Sequence, residues 1–350
     1  MSARRPSERA YARLPVLAAK QHALETCVYC PKLCRTTCPV SNAEPRETLT
    51  PWGKMSSAYF MARGDVEIDR DFSMTAWACT QCGACEDFCH HHNPVAETLY
   101  ATRAALYERG EAPAPVAEVV KSFIASRDAF AARMDRLSGS LGEGAHVLLF
   151  AGCTHSEAAV EDALYVVRTL TRERVTLAKR CCGETLRAAG ALPEFREHQK
   201  ETAALLREYS RAYVLDPTCQ ESLARGGLVV PSVATLVTQH IDHLKPSHAA
   251  PPRQHDVARD ERAARKVLLR LFARAPAEFE SRGGVASGGL LPVTMPHIAA
   301  AIGATRKAEH ERLGGGVVCT SSGTEASFLR GLGVDVRDFV SLVRAGLEAR

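Results

Sequence analysis

The sequence lacks several features that mark whole classes of protein. Residues Met1 to Lys20 contain no continuous apolar run of signal-peptide length, and no stretch approaches the roughly 18 apolar residues of a membrane span. A P-loop is missing, as is a G-x-G-x-x-G of the nicotinamide-binding type after the first predicted strand. We therefore expect a cytoplasmic protein with no transmembrane segment and with neither of these nucleotide sites.

The sequence also has little excess charge and few aromatic residues. Its 44 lysines and arginines nearly balance its 40 aspartates and glutamates, and aromatic residues make up only 6%. No basic run with interleaved aromatic residues occurs, so we expect no nucleic-acid partner. The hydrophobic content of 46% over 350 residues permits a sizeable core and about two or three domains.

Cysteine is the residue that the sequence has in abundance. Eight of the 13 cysteines lie between Cys27 and Cys89 in two groups of four. The first quartet is Cys27, Cys30, Cys34 and Cys38, and the second quartet is Cys79, Cys82, Cys85 and Cys89. A 4Fe–4S cluster needs four thiolates at the corners of a tetrahedron, and three closely spaced cysteines on a tight loop can wrap around one cluster. The spacing therefore predicts two 4Fe–4S clusters.

The second quartet matches the C-x2-C-x2-C-x3-C run of bacterial ferredoxins, and the first quartet has one extra residue. Pro39 follows the first quartet as in ferredoxins, whereas His90 follows the second. In ferredoxins the fourth cysteine of each run ligates the other cluster. The resemblance therefore implies one cluster on Cys27, Cys30, Cys34 and Cys89. It implies another on Cys79, Cys82, Cys85 and Cys38.

Other interpretations of these residues remain open. Zinc also takes four thiolates, usually from paired C-x2-C knuckles separated by about a dozen or more residues. Disulfides belong mainly to secreted chains, and unligated buried cysteines would not repeat such spacings. His90, His91 and His92 are further candidate ligands. Because thiolates already complete both clusters, the alternative for these histidines is a polar loop.

Beyond residue 145 the predicted strands and helices alternate. The predicted strands are residues 146–150, 174–178 and 212–215. The predicted helices are residues 156–171, 193–209 and 233–244. This order indicates a parallel, doubly wound sheet, in which ligands gather at the carboxyl ends of the strands. Four cysteines follow these ends, so their thiols could meet in space: Cys153, Cys181, Cys182 and Cys219.

This half resembles the cysteine-rich CCG domain of the heterodisulfide reductase B subunit and of many iron–sulfur oxidoreductase subunits. That family shows one cysteine, then Cys-Cys-Gly, then Cys-Pro-x-Cys. Here Cys153, Cys181-Cys182-Gly183 and Asp216-Pro217-Thr218-Cys219 follow the same order, with Asp216 in place of a cysteine. The resemblance implies a third iron–sulfur cluster on Cys153, Cys181, Cys182 and Cys219.

The family usually carries two copies of this domain, and a degenerate second copy follows the proline-rich linker at residues 245–252. His255-Asp256-Val257 resembles His-Asp-Pro-Cys without its cysteine, and residues 284–289 resemble Cys-Cys-Gly-x-Gly-Gly without either cysteine. The glycines of that segment predict that its turn persists. Cys319 stands at the place of the final cysteine pair. It either completes the third cluster site, which has Asp216 in place of a cysteine, or is a buried free thiol.

These observations predict an α/β protein. Its four parts are a mainly α-helical, ferredoxin-like two-cluster domain at 1–108, a helical connector at 109–144, a first CCG domain at 145–245 and a degenerate second CCG domain at 253–350. Helices are also expected over a lead-in that ends near residue 26 and over 55–63, 97–108 and 116–136. A glycine-rich joint at 138–144 is expected to mark the main boundary.

Two ferredoxin-type quartets and two CCG copies are arranged as in iron–sulfur subunits of glycolate oxidase, anaerobic glycerol-3-phosphate dehydrogenase and lactate-utilisation enzymes. The resemblance implies an electron-transfer subunit between a flavin-containing oxidase or dehydrogenase and an acceptor such as a quinone or a disulfide. Peripheral association with a membrane complex stays open. The alternatives are catalysis at the CCG cluster, an iron–sulfur redox sensor or assembly scaffold, and a zinc-stapled structural protein.

Overall fold

The computed structural model describes residues 10–139, 144–255, 262–272, 274–280 and 287–349. Several predicted features lie wholly or partly outside these residues. They are the start of the lead-in, the centre of the joint at 138–144, Asp256-Val257 and Gly284-Val285-Ala286. The described chain is mostly helical and contains two small parallel sheets, which agrees with a mixed α/β protein.

The α-helices follow one another along the whole chain. They are α1 (Gln21–Val28), α2 (Pro39–Ala43), α3 (Pro51–Arg63), α4 (Arg70–Trp77), α5 (Ala84–Phe88), α6 (Val95–Glu108), α7 (Ala114–Ala125), α8 (Arg127–Ser138), α9 (Glu157–Thr171), α10 (Glu184–Ala189), α11 (Leu192–Arg207), α12 (Pro217–Arg225), α13 (Val233–Gln239), α14 (Arg262–Phe272), α15 (Leu291–Thr294), α16 (Pro296–Arg312), α17 (Gly323–Gly331) and α18 (Phe339–Glu348). Within the described ranges, none of the helices is long and apolar enough to cross a membrane.

The strands lie in the second half of the chain, and short 3₁₀ helices connect other segments. The strands are β1 (Val147–Phe150), β2 (Val175–Leu177), β3 (Arg211–Val214), β4 (Arg253–Gln254), β5 (Val318–Thr320) and β6 (Val336–Asp338). The 3₁₀ helices are Pro15–Lys20, Leu33–Thr37, Glu47–Leu49, Ile241–His243 and Gly288–Leu290.

The chain divides into two compact units. The quartet unit consists of Met1–Phe123, Thr185–Leu192 and Ser281–Arg306. The sheet unit consists of Ile124–Glu184, Pro193–Glu280 and Lys307–Arg350. The domain limits drawn from the sequence stay a prediction.

Helix α3 is the central helix of the quartet unit. Its start is fixed by Thr50, whose hydroxyl accepts a hydrogen bond from the Gly53 amide at 2.9 Å, and by Pro51 in the first turn. Gly64, with a φ of +86°, ends it in the left-handed region. The helix packs against α1, α4 and α6, and its residues are buried on almost every side. The predicted helix at 55–63 is confirmed, and it begins earlier because Thr50 and Pro51 supply the start signals.

The sheet unit contains two parallel sheets, with strand orders β2-β1-β3 and β4-β5-β6. All four residues of β1 are buried. Val147 and Leu149 belong to one hydrophobic cluster, and Leu148 and Phe150 belong to another. A strand that is apolar on both faces is typical of a parallel sheet covered on each side. The three predicted strands and their parallel arrangement are therefore confirmed.

Two features, one in the connector and one in the sheet unit, differ from the sequence prediction. The connector expected over residues 116–136 is two helices, α7 and α8, which meet at Ser126. Helix α12 follows β3 directly and was not predicted. Its start signals are standard ones, because the Asp216 carboxylate accepts a hydrogen bond from the Thr218 amide at 2.8 Å and Pro217 occupies the first turn.

Replacement of the N-cap residue of α9 should show how much stability this cap contributes. The hydroxyl of Ser156 accepts a hydrogen bond from the Ala159 amide at 3.2 Å. We expect Ser156→Ala to lower the free energy of unfolding of the sheet unit by about 1 kcal/mol. Ser156→Asp should retain most of the stability because aspartate also caps helices well. Urea denaturation followed by circular dichroism checks both variants, and equal losses in the two would contradict a capping role.

Candidate functional site

The structure brings Cys89 of the second quartet to the first three cysteines of the first quartet. Cys27 is buried on α1, and the thiols of Cys34, Cys30 and Cys89 all act on it electrostatically. Burial raises the pKa of the Cys27 thiol to about 12, and these neighbouring thiols add to the rise. Burial likewise raises the pKa of Cys34 to about 11, with Cys30 and Cys89 again contributing. We call Cys27, Cys30, Cys34 and Cys89 group I.

The remaining quartet cysteines form a second set with the reciprocal composition. Burial raises the pKa of the Cys85 thiol, and its neighbours Cys79, Cys82 and Cys38 raise it further. The pKa of Cys82 is also raised by burial, with Cys38 and Cys79 contributing. Each set therefore contains three cysteines of one quartet and the fourth cysteine of the other. We call Cys38, Cys79, Cys82 and Cys85 group II.

The ligand loops have a backbone suited to anionic sulfur. Lys32, Gln81 and Gly83 adopt left-handed conformations with φ of 66°, 64° and 74°. Alternation of right- and left-handed residues points successive amides into one concavity, a nest that occurs at many iron–sulfur sites. The Gln81 amide accordingly donates to the Cys79 sulfur at 3.4 Å. Such donors stabilise the thiolate form that iron binds.

These features fit 4Fe–4S clusters. Burial and repulsion between neighbouring thiolates favour the protonated form of Cys27, Cys34, Cys82 and Cys85, and iron would replace these protons. When bound, the clusters supply one-electron chemistry. A single metal ion needs ligands that converge on one point. Among the described His, Cys, Asp and Glu residues, no group of three or more does so.

Lys54 is a functional residue that the sequence reasoning missed. It lies in the first turn of α3, is 1% exposed, and its Nζ lies 3.6 Å from the Cys38 sulfur. Burial would lower the pKa of this ammonium, but the thiols of Cys38, Cys79 and Cys85 outweigh that effect and raise it. A signal was present, because Lys54 is the single charged residue between Thr48 and Ala62.

Arg103 and Asn93 were also missed. Arg103 is fully buried, and its guanidinium donates to the backbone oxygens of Ala76 at 2.8 Å and Cys79 at 3.0 Å. Asn93 is buried and donates from Nδ2 to the Cys27 sulfur at 2.9 Å and to the Ala23 oxygen at 2.8 Å. Neither residue stands out in the sequence, because only the fold brings them to the cysteines.

The predicted glycine turn persists in the part that the structure describes. Gly288 and Gly289 belong to the quartet unit and lie directly on the backbone of the second ligand loop. A Cβ atom added to Gly288 would lie 2.1 Å from the Thr80 oxygen, and one added to Gly289 would lie 2.1 Å from the Cys79 oxygen. Side chains are therefore excluded at both positions, and the Gly289 carbonyl accepts a hydrogen bond from Arg103 at 3.1 Å.

Cys153, Cys181, Cys182 and Cys219 of the sheet unit also lie together. Their sulfurs form a row in which Cys153 is within hydrogen-bonding distance of Cys181, Cys181 of Cys182, and Cys182 of Cys219. Cys153 is exposed, whereas Cys182 and Cys219 are buried. The pKa of Cys219 is raised to about 12, where the favourable contact with Cys182 is outweighed by burial and by the nearby Asp216 carboxylate. These four thiols are the third group.

The backbone around Cys181 and Cys182 is held on several sides. Gly183 has a φ of +80°, and a Cβ atom there would lie 2.8 Å from the His198 ring. The His198 Nε2 atom lies 2.6 Å from the Cys181 oxygen, and the Gln199 amide donates to the Cys182 oxygen at 2.8 Å. This packing explains the glycine of the Cys-Cys-Gly sequence in physical terms.

Asp216 stands where the CCG resemblance predicts a cysteine, and its carboxylate has several partners. Its carboxylate accepts hydrogen bonds from the amides of Thr218 at 2.8 Å and Gly323 at 3.0 Å, and it lies 3.3 Å from His155 Nε2. The Nδ1 atom of His155 lies 3.6 Å from Asp338. Burial would lower the pKa of His155, but these two carboxylates raise it to about 9. Asp216 therefore acts as a helix cap and an ion-pair partner.

Cys319 and the histidine run complete the predicted residues. Cys319 lies on β5, is 1% exposed, and packs in the hydrophobic cluster that contains Leu149 and Phe339. Cys182 and Cys219 pack in a different cluster.

His90, His91 and His92 are exposed and follow α5 in a turn, which confirms the predicted polar loop.

Gly289→Ala should disturb the second ligand loop. The added methyl group would collide with the Cys79 backbone, and a φ of +62° is unfavourable for alanine. We expect the iron content to fall by about one cluster's share, four irons. Gly331→Ala is the matched control, because a Cβ atom there meets no atom within 4 Å. Full iron content in Gly289→Ala would contradict the proposed support of the loop.

Asp216→Ala should be strongly destabilising because it removes one of the two carboxylates beside His155 and leaves the amides of Thr218 and Gly323 without their acceptor. We expect a loss of about 3–5 kcal/mol in the free energy of unfolding, as for other broken buried ion pairs. Asp216→Asn should lose less, because its amide oxygen can still accept from Thr218. Asp335→Ala, an exposed aspartate, is the control. Urea denaturation at pH 7 checks the series. If Asp216→Ala leaves the free energy of unfolding unchanged, the ion pair contributes no stability.

Comparison with known proteins agrees with the cysteine geometry of the quartet unit. Residues 23–93 match the family described as the 4Fe-4S dicluster domain. Searches of curated proteins and of solved structures found no match. The matched segment contains all eight quartet cysteines together with Lys54 and Asn93. It supports 4Fe–4S clusters, and hence iron–sulfur electron transfer, in this part of the chain.

Proposed function

We propose that this chain is the electron-transfer subunit of an iron–sulfur oxidoreductase. One 4Fe–4S cluster would be bound by the four cysteines of group I, and the other by the four cysteines of group II. The observation that carries the proposal is the exchange of fourth cysteines between two loops within a segment similar to dicluster domains. Cys38 also acts electrostatically on Cys34, so the two groups are close neighbours. Short separation is what a relay between clusters requires.

In this role the protein's own contribution is to hold and tune the clusters. The ligand loops would keep both clusters in fixed positions and largely away from water, while amides and buried side chains adjust the potentials. A flavin-containing oxidase or dehydrogenase would supply electrons, and a quinone or a disulfide would accept them. These partners come from the resemblance to glycolate oxidase and glycerol-3-phosphate dehydrogenase subunits.

A second candidate function is catalysis at the third group, as in heterodisulfide reductase. The observation that favours it is the row of four neighbouring sulfurs with an exposed Cys153 at one end. An exposed member gives an external disulfide or another oxidant access to the row. Against this function, the contact with Cys181 and burial raise the pKa of Cys153, and burial outweighs the contact with Cys182 to raise the pKa of Cys219. The Asp216 carboxylate adds to both shifts, so both thiolates are disfavoured.

Anaerobic purification followed by iron and acid-labile sulfide analysis tests the proposal. We expect about eight irons per chain if the two cubanes alone are present, and about twelve if the third group also holds a 4Fe–4S cluster. Electron paramagnetic resonance after dithionite reduction should show reduced clusters, and the oxidised state should return without loss of iron. Zinc in place of iron, or iron loss in one redox cycle, would overturn the electron-transfer proposal.

Three cysteine variants separate the sites in the same assay. Cys82→Ser should lose iron from the quartet unit, whereas Cys153→Ser should retain it and affect only the third group. Cys319→Ser tests the predicted contribution of this residue to the third group. If Cys82→Ser and Cys153→Ser lose equal amounts of iron, the division into independent sites is wrong.

A further inference from the structure

The two thiol groups differ in the charge that is buried beside them. Group II is in contact with Lys54, whose Nζ lies 3.6 Å from the Cys38 sulfur and whose charge also acts on Cys79 and Cys85. No carboxylate within the described residues makes an ion pair with this ammonium. The partners of the ammonium are therefore sulfur atoms. A buried cation needs an anionic partner, and the group II cluster would supply it.

Arg103 adds a second cation on the same side. Its guanidinium is fully buried and donates to the backbone oxygen of Cys79 at 3.0 Å. It is also bound to the Ala188 oxygen at 3.0 Å and the Gly289 oxygen at 3.1 Å. Because all these acceptors belong to the quartet unit, the positive charge is held rigidly against the second ligand loop.

Group I has a neutral donor in the corresponding role. The side-chain amide of Asn93 donates to the Cys27 sulfur at 2.9 Å and carries no charge. The cations of the neighbouring loop, Lys32 and Arg35, are 40% and 46% exposed, and both form ion pairs with Glu47. Solvent exposure and pairing with Glu47 screen the charges of Lys32 and Arg35 strongly. Lys54 is buried, so its charge is screened much less.

We propose that the group II cluster has the higher reduction potential of the two, and that Lys54 is the residue that sets this order. The inference rests on the proposed function, because it assumes that each thiol group holds a 4Fe–4S cluster. A cluster with four thiolates carries a charge of about −2 when oxidised, and one electron from the reductant makes it −3. A buried cation stabilises the second state more than the first, and so favours reduction.

The order of the two reduction potentials determines which cluster holds an electron at equilibrium. Whichever cluster receives an electron first, the electron settles on the group II cluster beside Lys54. Lys54 is thus a tuning residue of the relay and is separate from the ligands. Its position in α3 fixes it there, because the helix is buried on almost every side.

A redox titration monitored by electron paramagnetic resonance tests this inference on the whole chain. The unmodified protein should reduce in two one-electron steps separated by more than about 59 mV, which is a tenfold difference in equilibrium constant. Lys54→Met should lower the higher potential by at least this amount and leave the iron content unchanged. Lys54→Gln retains an N–H donor without the charge, so it should also lower that potential, by less than the methionine variant.

Two further variants serve as controls. Lys121→Met removes an exposed lysine of the same unit, and it should leave both potentials unchanged. Asn93→Leu removes the neutral donor of group I, and it should lower only the lower potential. If the Lys54 variants fail to load iron, Asn93→Leu and the separation of steps in the unmodified protein decide the question.

Several results would overturn the inference. They are a single overlapping reduction step in the unmodified protein, iron-loaded Lys54 variants with unchanged potentials, and a shift of the higher potential in Asn93→Leu. These outcomes can occur in a protein with two reversible clusters, so they leave the electron-transfer function intact. A purified chain without iron or labile sulfide would instead remove the proposed function and this inference together.

Discussion

Eight thiols gathered in one small unit are the constraint on which the rest of this structure depends. Burial raises the pKa values of Cys27, Cys34, Cys82 and Cys85, and repulsion between neighbouring thiolates adds to the rise, so these four thiolates are unfavourable without bound iron. We therefore expect folding of the quartet unit to be coupled to cluster binding. The left-handed loop residues, the amides that face sulfur and the buried Lys54 all act in the same direction, because each stabilises negative charge on the ligands.

The second ligand loop is supported by parts of the chain that are far away in the sequence. Arg103 joins the Cys79 carbonyl to the carbonyls of Ala188 and Gly289, and Gly289 lies directly on Cys79. Gly288 and Gly289 of the predicted second copy thus pack against the second ligand loop, although they supply no ligand. A segment without cysteines can support a ligand loop in this way, because its backbone packs directly against that loop.

The sequence allowed the cysteine sites and much of the local structure to be predicted. Spacing alone indicated the two quartets, and apolar runs located β1, β2 and β3. Short-range signals that were present but unused include Asp216-Pro217 before α12 and the isolated charge of Lys54 in an uncharged run. Arg103 and Asn93 could not be found in this way, because their importance arises from tertiary contacts with Cys79 and Cys27. Spacing reports local geometry, whereas buried partners are chosen by the fold.

The third group shows how a buried carboxylate affects the cysteines beside it. A cysteine at position 216 would add a thiolate ligand, but the aspartate instead caps α12 and pairs with His155. The contact with Cys181 raises the pKa of Cys153, burial raises the pKa of Cys153 and Cys219, and the Asp216 carboxylate adds to both shifts, which makes these thiols poorer ligands and poorer nucleophiles. His155 lies between Asp216 and Asp338, and the positive charge of its protonated ring offsets part of the negative charge of these carboxylates. Asp216 therefore stabilises the start of α12 and the ion pair with His155, and it disfavours the thiolate form of the neighbouring cysteines.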